Sequence, residues 1–327
     1  MKNIAYRGVL CLFDVVVYSA VIFATEVVPE KVWVPSIKGE YIHIHEPQGD
    51  VFPGPTRGDL VAGQFYPSWQ PNDHCFLKGP DHLWHSFGIT HPTTLPGQDR
   101  HQGENLSYHA VSSADTFKDS FGHHLWKDKP KVLSPNERPG EIEANHAPYI
   151  IKDGELYKMI YGPTPFRMAT SKDLYNWTLN GNIACADKAK GRDPSIMLWK
   201  GIYYLIYCDW NSVKVTTTKD FQNWTEPVTI FRPENEKHDP ESPSIIPYQG
   251  KFYLFWCLWD KTIKGNGYGE RTFVYCSDDP FNFSGKALVS ELRAHAPEIF
   301  QGEDEQWYIS SAQYPNRGIN IAKLEWK

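Results

Sequence analysis

The chain has 327 residues, a net charge of −6 from 33 Lys plus Arg against 39 Asp plus Glu, and an aromatic content of 14% (12 Trp, 18 Tyr, 17 Phe). Mild acidity leaves no electrostatic footprint for nucleic acid, and a mean hydropathy of −0.50 excludes a polytopic membrane protein. The length allows one large all-β domain whose core needs no staples.

Taken in chain order, the first feature is an apolar run from Val9 to Ala24, preceded by Lys2 and Arg7 and interrupted by Asp14. A basic start, an apolar stretch and the small Ala24 read as an export leader over residues 1–24, with residues 25–327 as a single catalytic domain. Asp14 and Ile22 count against cleavage, and a strand over Val15–Phe23 is the competing reading. The run is short of the roughly 20 residues a membrane anchor needs. The six cysteines, Cys11, Cys75, Cys185, Cys208, Cys257 and Cys276, form no CxxC pair. Zinc is therefore not indicated, and the cysteines read as small buried hydrophobes.

From residue 72 onward the chain repeats. A polar residue, then Pro, then an apolar residue two further on appears as His146-Ala147-Pro148-Tyr149-Ile150 and Arg192-Asp193-Pro194-Ser195-Ile196. It returns as Glu241-Ser242-Pro243-Ser244-Ile245 and His295-Ala296-Pro297-Glu298-Ile299. Asn72-Asp73-His74-Cys75-Phe76 is a degenerate copy with His74 in the place of Pro. Each copy is followed by a turn and an aromatic-rich strand, such as Lys200-Gly201-Ile202-Tyr203-Tyr204 or Gln249-Gly250-Lys251-Phe252-Tyr253. Several units close on Ser-x-Asp or Thr-x-Asp and an aromatic, as in Ser171-Lys172-Asp173 with Trp177 and Thr218-Lys219-Asp220 with Trp224.

The units begin near 73, 146, 193, 241 and 295, and the long first interval predicts an insertion at Thr90–Gln102 or Pro130–Glu143. Repeats of about 40–50 residues built of short strands predict a five-bladed β-propeller of four-stranded antiparallel blades. Arg317–Trp326 would complete the last blade with an early strand such as Glu40–His45, leaving no open edge. Pro is tolerated at a strand start, so the geometry gathers Asp73, His146, Asp193, Glu241 and His295 at the mouth of one axis. Asp73 and Asp193 stand directly before the Pro position, and His146, Glu241 and His295 stand two before it. Strand alternation predicts that this offset aims the two sets differently. Carboxylates facing one cavity are what glycoside hydrolysis requires, and a third one nearby raises the pKa of the acid.

On these motifs, the chain from about Tyr66 to Lys327 resembles the clan of five-bladed β-propeller glycoside hydrolases, above all families 43 and 32. The resemblance to family 43 implies Asp73 as general base, Asp193 as the orienting carboxylate and Glu241 as general acid. Asn72-Asp73, Arg192-Asp193-Pro194 and Ser107-Tyr108-His109-Ala110-Val111-Ser112 are similar to family 32, where the first Asp is the nucleophile. The sequence departs from the pattern at His74, where Pro is usual, and at Ser242, where Cys is usual. The resemblance also implies a place for His295 beneath the site, where a structural calcium ion could be held at the axis; no cofactor is required. His146, Arg192, His295, Trp69, Trp210 and Trp259 are the expected sugar contacts. An ion pair is the other reading for Arg192, and structural or catalytic roles remain open for both histidines. Glu141 and Glu143 read as a solvated loop, and Asp209 and Asp260 as strand ends that could reach the pocket.

The expected function is hydrolysis of a terminal furanoside in an oligosaccharide or polysaccharide. The alternatives are a family 130-type phosphorylase, which needs a cluster of cations, and a non-catalytic sugar-binding propeller. The expected partner is a carbohydrate, with no nucleic acid and no stable membrane anchor.

Overall fold

The computed structural model describes residues 31–93, 103–263 and 268–327, with the Tyr268 side chain excepted. The expected leader, with Cys11, and most of the candidate insertion Thr90–Gln102 lie outside the described residues. Val32–Lys327 is one compact unit. No helix among the described residues is long and apolar enough to cross a membrane.

The repeat becomes the blade. Blade one runs from Trp69–Lys78 through Trp84–Pro92 and Leu106–Ser112 to Trp126–Val132. Blades two, three and four occupy His146–Asn182, Arg192–Phe231 and His238–Leu292, each as four antiparallel strands. Blade five consists of Ile299–Gln301, Trp307–Ala312, Ile319–Trp326 and, as its outermost strand, the N-terminal Pro35–His45. Ile42 pairs with Ile321 and Pro35 with Trp326, so the two ends of the unit zip one sheet, as the pattern predicts. The zipper means the ring cannot open without breaking a full strand pairing.

Five hydrophobic clusters hold the blades together, one at each interface. Met197 and Ile206 meet Ile245 and Trp256 between blades three and four. Phe76 and Tyr108 meet Tyr308 and Ile319 between blades five and one. Ile160 with Leu205, Phe87 with Met159, and Phe255 with Ile309 mark the other three. The aromatic second strands supply much of this packing. Tyr161, Tyr207, Tyr253 and Tyr308 are fully buried, so part of the high aromatic content is sheet-on-sheet area removed from water. The Ser/Thr-x-Asp elements are turns. The Ser171 hydroxyl accepts from the Leu174 amide at 2.8 Å, and the Asp173 carboxylate accepts from the Asn176 amide at 2.8 Å. Leu174 and Phe221 sit at φ 69° and 59° in the two copies.

The extra length of unit one is not confined to one insertion. Of the two expected places, Thr90–Gln102 lies mostly outside the described residues, and Pro130–Glu143 gives a connection after the strand that ends at Val132. A further connection was not expected. It spans residues 113–125 and carries the short 3₁₀ helices Lys118–Ser120 and His123–Leu125. Residues 46–68 add an excursion with a two-stranded pair, Asp50–Val51 and Phe65–Tyr66. It closes over a sixth apolar cluster of Phe52, Leu60, Tyr66, Trp69, Leu106 and Ile142.

The proline motif opens the first strand of blades two and three, at His146 and Arg192, and lies inside that of blade four, which begins at His238. In all three it coincides with an interruption of register: His146/Tyr149, Arg192/Ser195 and Glu241/Ser244. Blade one has the same interruption at Pro71/His74. These are β-bulges, where Pro costs no ladder hydrogen bond. The residue before Pro is pushed to positive φ in every full copy: Ala147 (45°), Asp193 (53°), Ser242 (46°) and Ala296 (45°). Four non-glycine residues in this region are local backbone strain that the surrounding blades must hold in place.

Candidate active site

The bulge decides where the polar residues point. The two offsets aim differently in part: of the motif's first two residues, only those directly before the Pro position, Asp73, Ala147, Asp193, Ser242 and Ala296, line the axial void. Asp73 and Asp193 line the same cavity of about 240 Å³ as Asn72, His146, Arg192 and Glu241, which stand one residue earlier in their copies. A bulge breaks strict alternation, so neighbouring residues can share a face. Glu104, Glu143, Trp210 and Trp259 complete the wall.

Glu241 is buried and held by a bidentate pair from Arg192, whose two terminal nitrogens each donate to one carboxylate oxygen. Burial pushes its carboxyl well above the usual range; Arg192 pulls the other way and Asp193 adds to the push. Asp193 is also buried, and burial would raise it too. Here Arg192 and His146 prevail and hold it below the usual carboxylate value. Its Oδ2 accepts from the Ser242 amide at 3.2 Å and from the Cys208 thiol at 3.1 Å. Asp73 accepts from the Ser242 hydroxyl. Burial, followed by repulsion from Asp193, lifts Asp73 to about 7, against a downward pull from His146.

His146 sits between two carboxylates. Its Nε2 lies 3.0 Å from Glu104 and its Nδ1 lies 3.5 Å from Asp193. Burial alone would favour neutral imidazole, but Glu104 reverses this and raises the group to about 10. The ring is therefore an imidazolium at neutral pH. The pocket thus contains carboxyl groups whose environments push their proton affinities apart, which is the arrangement acid–base chemistry uses.

Trp210 stands 73% exposed at φ 49° on the turn after Cys208. It lines both this cavity and an adjoining one of about 360 Å³ bounded by Pro163, Thr164 and Lys190. Trp259 is half-buried, with the Arg192 guanidinium 5.7 Å from its ring centre. Trp69 is a correction. It is fully buried in the cluster beneath the 46–68 excursion, and its indole N–H donates to the Tyr66 carbonyl at 2.9 Å. The excursion covers this position, so no sugar reaches it. His295 lies behind the wall, with Nδ1 3.5 Å from the Cys257 thiol. Asp209 turns to Lys214 at 2.6 Å, and Asp260 caps Thr262.

A calcium ion takes six to eight oxygen ligands. The residues around the axial void with side-chain oxygens are Asp73, Tyr149, Asp193, Ser195, Ser242, Ser244 and Glu298. Asp73 and Asp193 are tied to Ser242, Ser195 donates to the Pro243 carbonyl, and Glu298 accepts from Tyr149. That set does not form a direct calcium cage. Asp193, Cys208 and Glu241 are close enough to share a metal ion, but Arg192 occupies both Glu241 oxygens.

Sequence reasoning missed Glu104 and Ser242 as site residues and placed Glu143 in solvent. Glu104 lies outside the repeat, in the connection before Leu106–Ser112, so no periodic signal marks it. Ser242 was noted only as a departure from a motif. Glu143 lines the cavity, with its carboxyl raised by burial and then by Glu104.

Residues 187–327 match Glycosyl hydrolases family 43. No curated protein matches the sequence. Among solved structures, an exo-1,5-α-L-arabinanase from a bovine ruminal metagenomic library is similar at TM-score 0.55 and 18% identity, over 78% of this chain and 92% of that one. A family 117 glycoside hydrolase from Zobellia galactanivorans is similar at TM-score 0.56 and 13% identity, over 90% of each chain. An α-L-arabinanase from Cellvibrio cellulosa, complexed with arabinohexaose, is similar at TM-score 0.54 and 14% identity, over 79% and 91%. At these identities the structures attest the fold, while the family match falls on the blades that carry Arg192, Asp193 and Glu241. The chain is thus a five-bladed β-propeller whose last three blades resemble glycosyl hydrolases of family 43.

Proposed function

We propose that the propeller is the catalytic domain of an exported glycosidase that removes a terminal furanoside from an oligosaccharide or polysaccharide. Asp73 serves as the base that activates water, Glu241 as the acid that protonates the leaving oxygen, and Asp193 as the fixed anion that orients the pair. The observation that carries this reading is one cavity lined by Asp73, Asp193 and Glu241, in which burial pushes Glu241 and Asp73 up while Arg192 and His146 hold Asp193 down. An oxocarbenium-like transition state gains from such flanking negative charge.

Arg192 has a part in the cycle. It donates to both oxygens of Glu241, so a leaving oxygen protonated by Glu241 has to displace one of those donors. Sugar binding would then release the acid. Trp210 and Trp259 offer apolar faces at the rim, and His146 a fixed cation. A cavity of about 240 Å³ suits one terminal ring, with the adjoining cavity beyond Trp210 for the remainder of the substrate.

The phosphorylase reading is disfavoured by charge. Five carboxyl groups, Asp73, Glu104, Glu143, Asp193 and Glu241, line the cavity against two cations, His146 and Arg192, and negative charge predominates even with Glu241 protonated as the acid. A phosphate dianion would meet net repulsion there. A panel of 4-nitrophenyl furanosides and arabino-oligosaccharides tests the proposal. Phosphate-independent release from an arabinofuranoside supports it, the arabinanases among the similar structures making that sugar the first to try. Strict phosphate dependence, or tight binding with no turnover across the panel, would overturn it.

A further inference from the structure

We infer that Ser242 is a positioning residue: through its hydroxyl and its amide it ties Asp73 of blade one to Asp193 of blade three and so keeps the two carboxylates in one array. This rests on the acid–base reading above. The Ser242 hydroxyl donates to Asp73 Oδ1, and its backbone N–H donates to Asp193 Oδ2 at 3.2 Å. The residue thus reaches across the axis from blade four to two others, beside Glu241 in its own strand. The bulge makes this reach available. At φ 46° the Ser242 side chain lines the axial void together with Asp73 and Asp193.

The same position in the other full copies holds Ala147, Asp193 and Ala296, each at φ between 45° and 53°. Two alanines in the same conformation show that the bulge needs no hydroxyl to form. A hydroxyl here therefore does more than support the fold. Two carboxylates drawn together repel each other, and a donor shared between them offsets part of that repulsion. The amide serves Asp193 whatever side chain is present, whereas only the hydroxyl serves Asp73. Removing it should act on Asp73 alone.

Asp73 is also faced by Asp193, His146 and Glu104. Glu143, Arg192 and Glu241 lie on the same cavity wall. The Cys257 thiol lies on the blade-four side, and His74, which itself faces His295, is the next residue on its own strand. All of these are retained in a Ser242→Ala protein, so a change in Asp73 reports the hydroxyl.

The experiment follows the Asp73 carboxyl by ¹³C NMR pH titration in wild type, Ser242→Ala and Ser242→Cys, with an Asp73→Asn sample to assign the signal. It also measures kcat and KM on whichever 4-nitrophenyl furanoside the wild type cleaves. In Ser242→Ala the titration midpoint should rise by about one pH unit and the acidic limb of the kcat profile should move with it. kcat should fall about tenfold or more at pH 6 with KM within about threefold. Ser242→Cys, a weaker donor, should fall between the two proteins. Asp73→Asn with Ser242→Ala should be no slower than Asp73→Asn alone, because the hydroxyl acts through Asp73. An unmoved midpoint in Ser242→Ala, or losses that multiply in the double variant, would overturn the inference. The titration needs no turnover, so failure of the wild type on every substrate would sink the proposed function and leave this test standing.

Discussion

Asp193 and Glu298 are instructive opposites. Both belong to the repeated proline motif, both are buried, and both line the axial void. Asp193 stands before its Pro, at the mouth, and Glu298 stands after its Pro, on the floor. At the mouth Arg192 and His146 overcome the cost of burial, and Asp193 titrates below the ordinary range. On the floor the Tyr149 hydroxyl, 3.0 Å away, opposes the burial that pushes Glu298 up to about 8. Two buried carboxyls of one repeat are thus charged and neutral because cations line the mouth but not the floor. Burial alone does not assign a role; the partners do.

The sharpest way to break this comparison is to neutralise the mouth. Glu241→Gln and Asp73→Asn should each lower kcat by about 10³-fold, with circular dichroism and melting temperature close to wild type. Full activity in both variants would refute the assignment. Asp193→Asn should cost about 10²–10³-fold, since it removes the fixed anion but neither transferring group. It should also bring Asp73 down from about 7, because repulsion from Asp193 is part of what holds it there.

A smaller effect separates the base from its surroundings. The base must be ionised, so kcat/KM of the wild type should rise with pH through about 7 and fall again only where Glu241, held well above its usual value, loses its proton. Glu104→Gln removes the main partner of His146, whose midpoint should drop from about 10. The expected activity loss is about tenfold, with the profile altered in shape, as measured by pH-dependent kinetics and histidine NMR.

The floor should respond in stability and leave turnover nearly untouched. The folded-state value of Glu298, about 8, lies above the ordinary 4.5, so the folded chain holds this proton more tightly than the unfolded one. Its stabilising contribution is full below about pH 4.5 and is lost progressively as pH rises towards 8. Glu298→Gln keeps an acceptor for Tyr149 and removes that loss. It should be more stable than wild type by roughly 1–3 kcal/mol at pH 8, with little difference at pH 4.5, as read from denaturant unfolding at both pH values. A large loss of kcat in this variant would dissolve the distinction between mouth and floor.

Much of the site was legible because it is periodic. Asp73, His146, Asp193 and Glu241 occupy matching places in successive units, and a propeller brings matching places to one axis. Arg192 was legible as a candidate with two readings, and its pairing with Glu241 follows from both lining one cavity. Trp69 misled because an aromatic next to a site motif reads alike whether it faces a sugar or a covering loop. Only the 46–68 excursion distinguishes the two.

What the sequence determined by itself is the unit and its count, because each blade is specified by local strand and turn patterns and stacks only on its neighbours. Tertiary structure decided the aim of the side chains and the company they keep. The bulge turned two strand offsets to one cavity, a connection outside the repeat delivered Glu104, and Ser242 reached two other blades. None of these has a periodic signature. Each depends on contacts between residues far apart in the chain, such as Ser242 with Asp73 across 169 positions, and only the closed ring of blades brings them together.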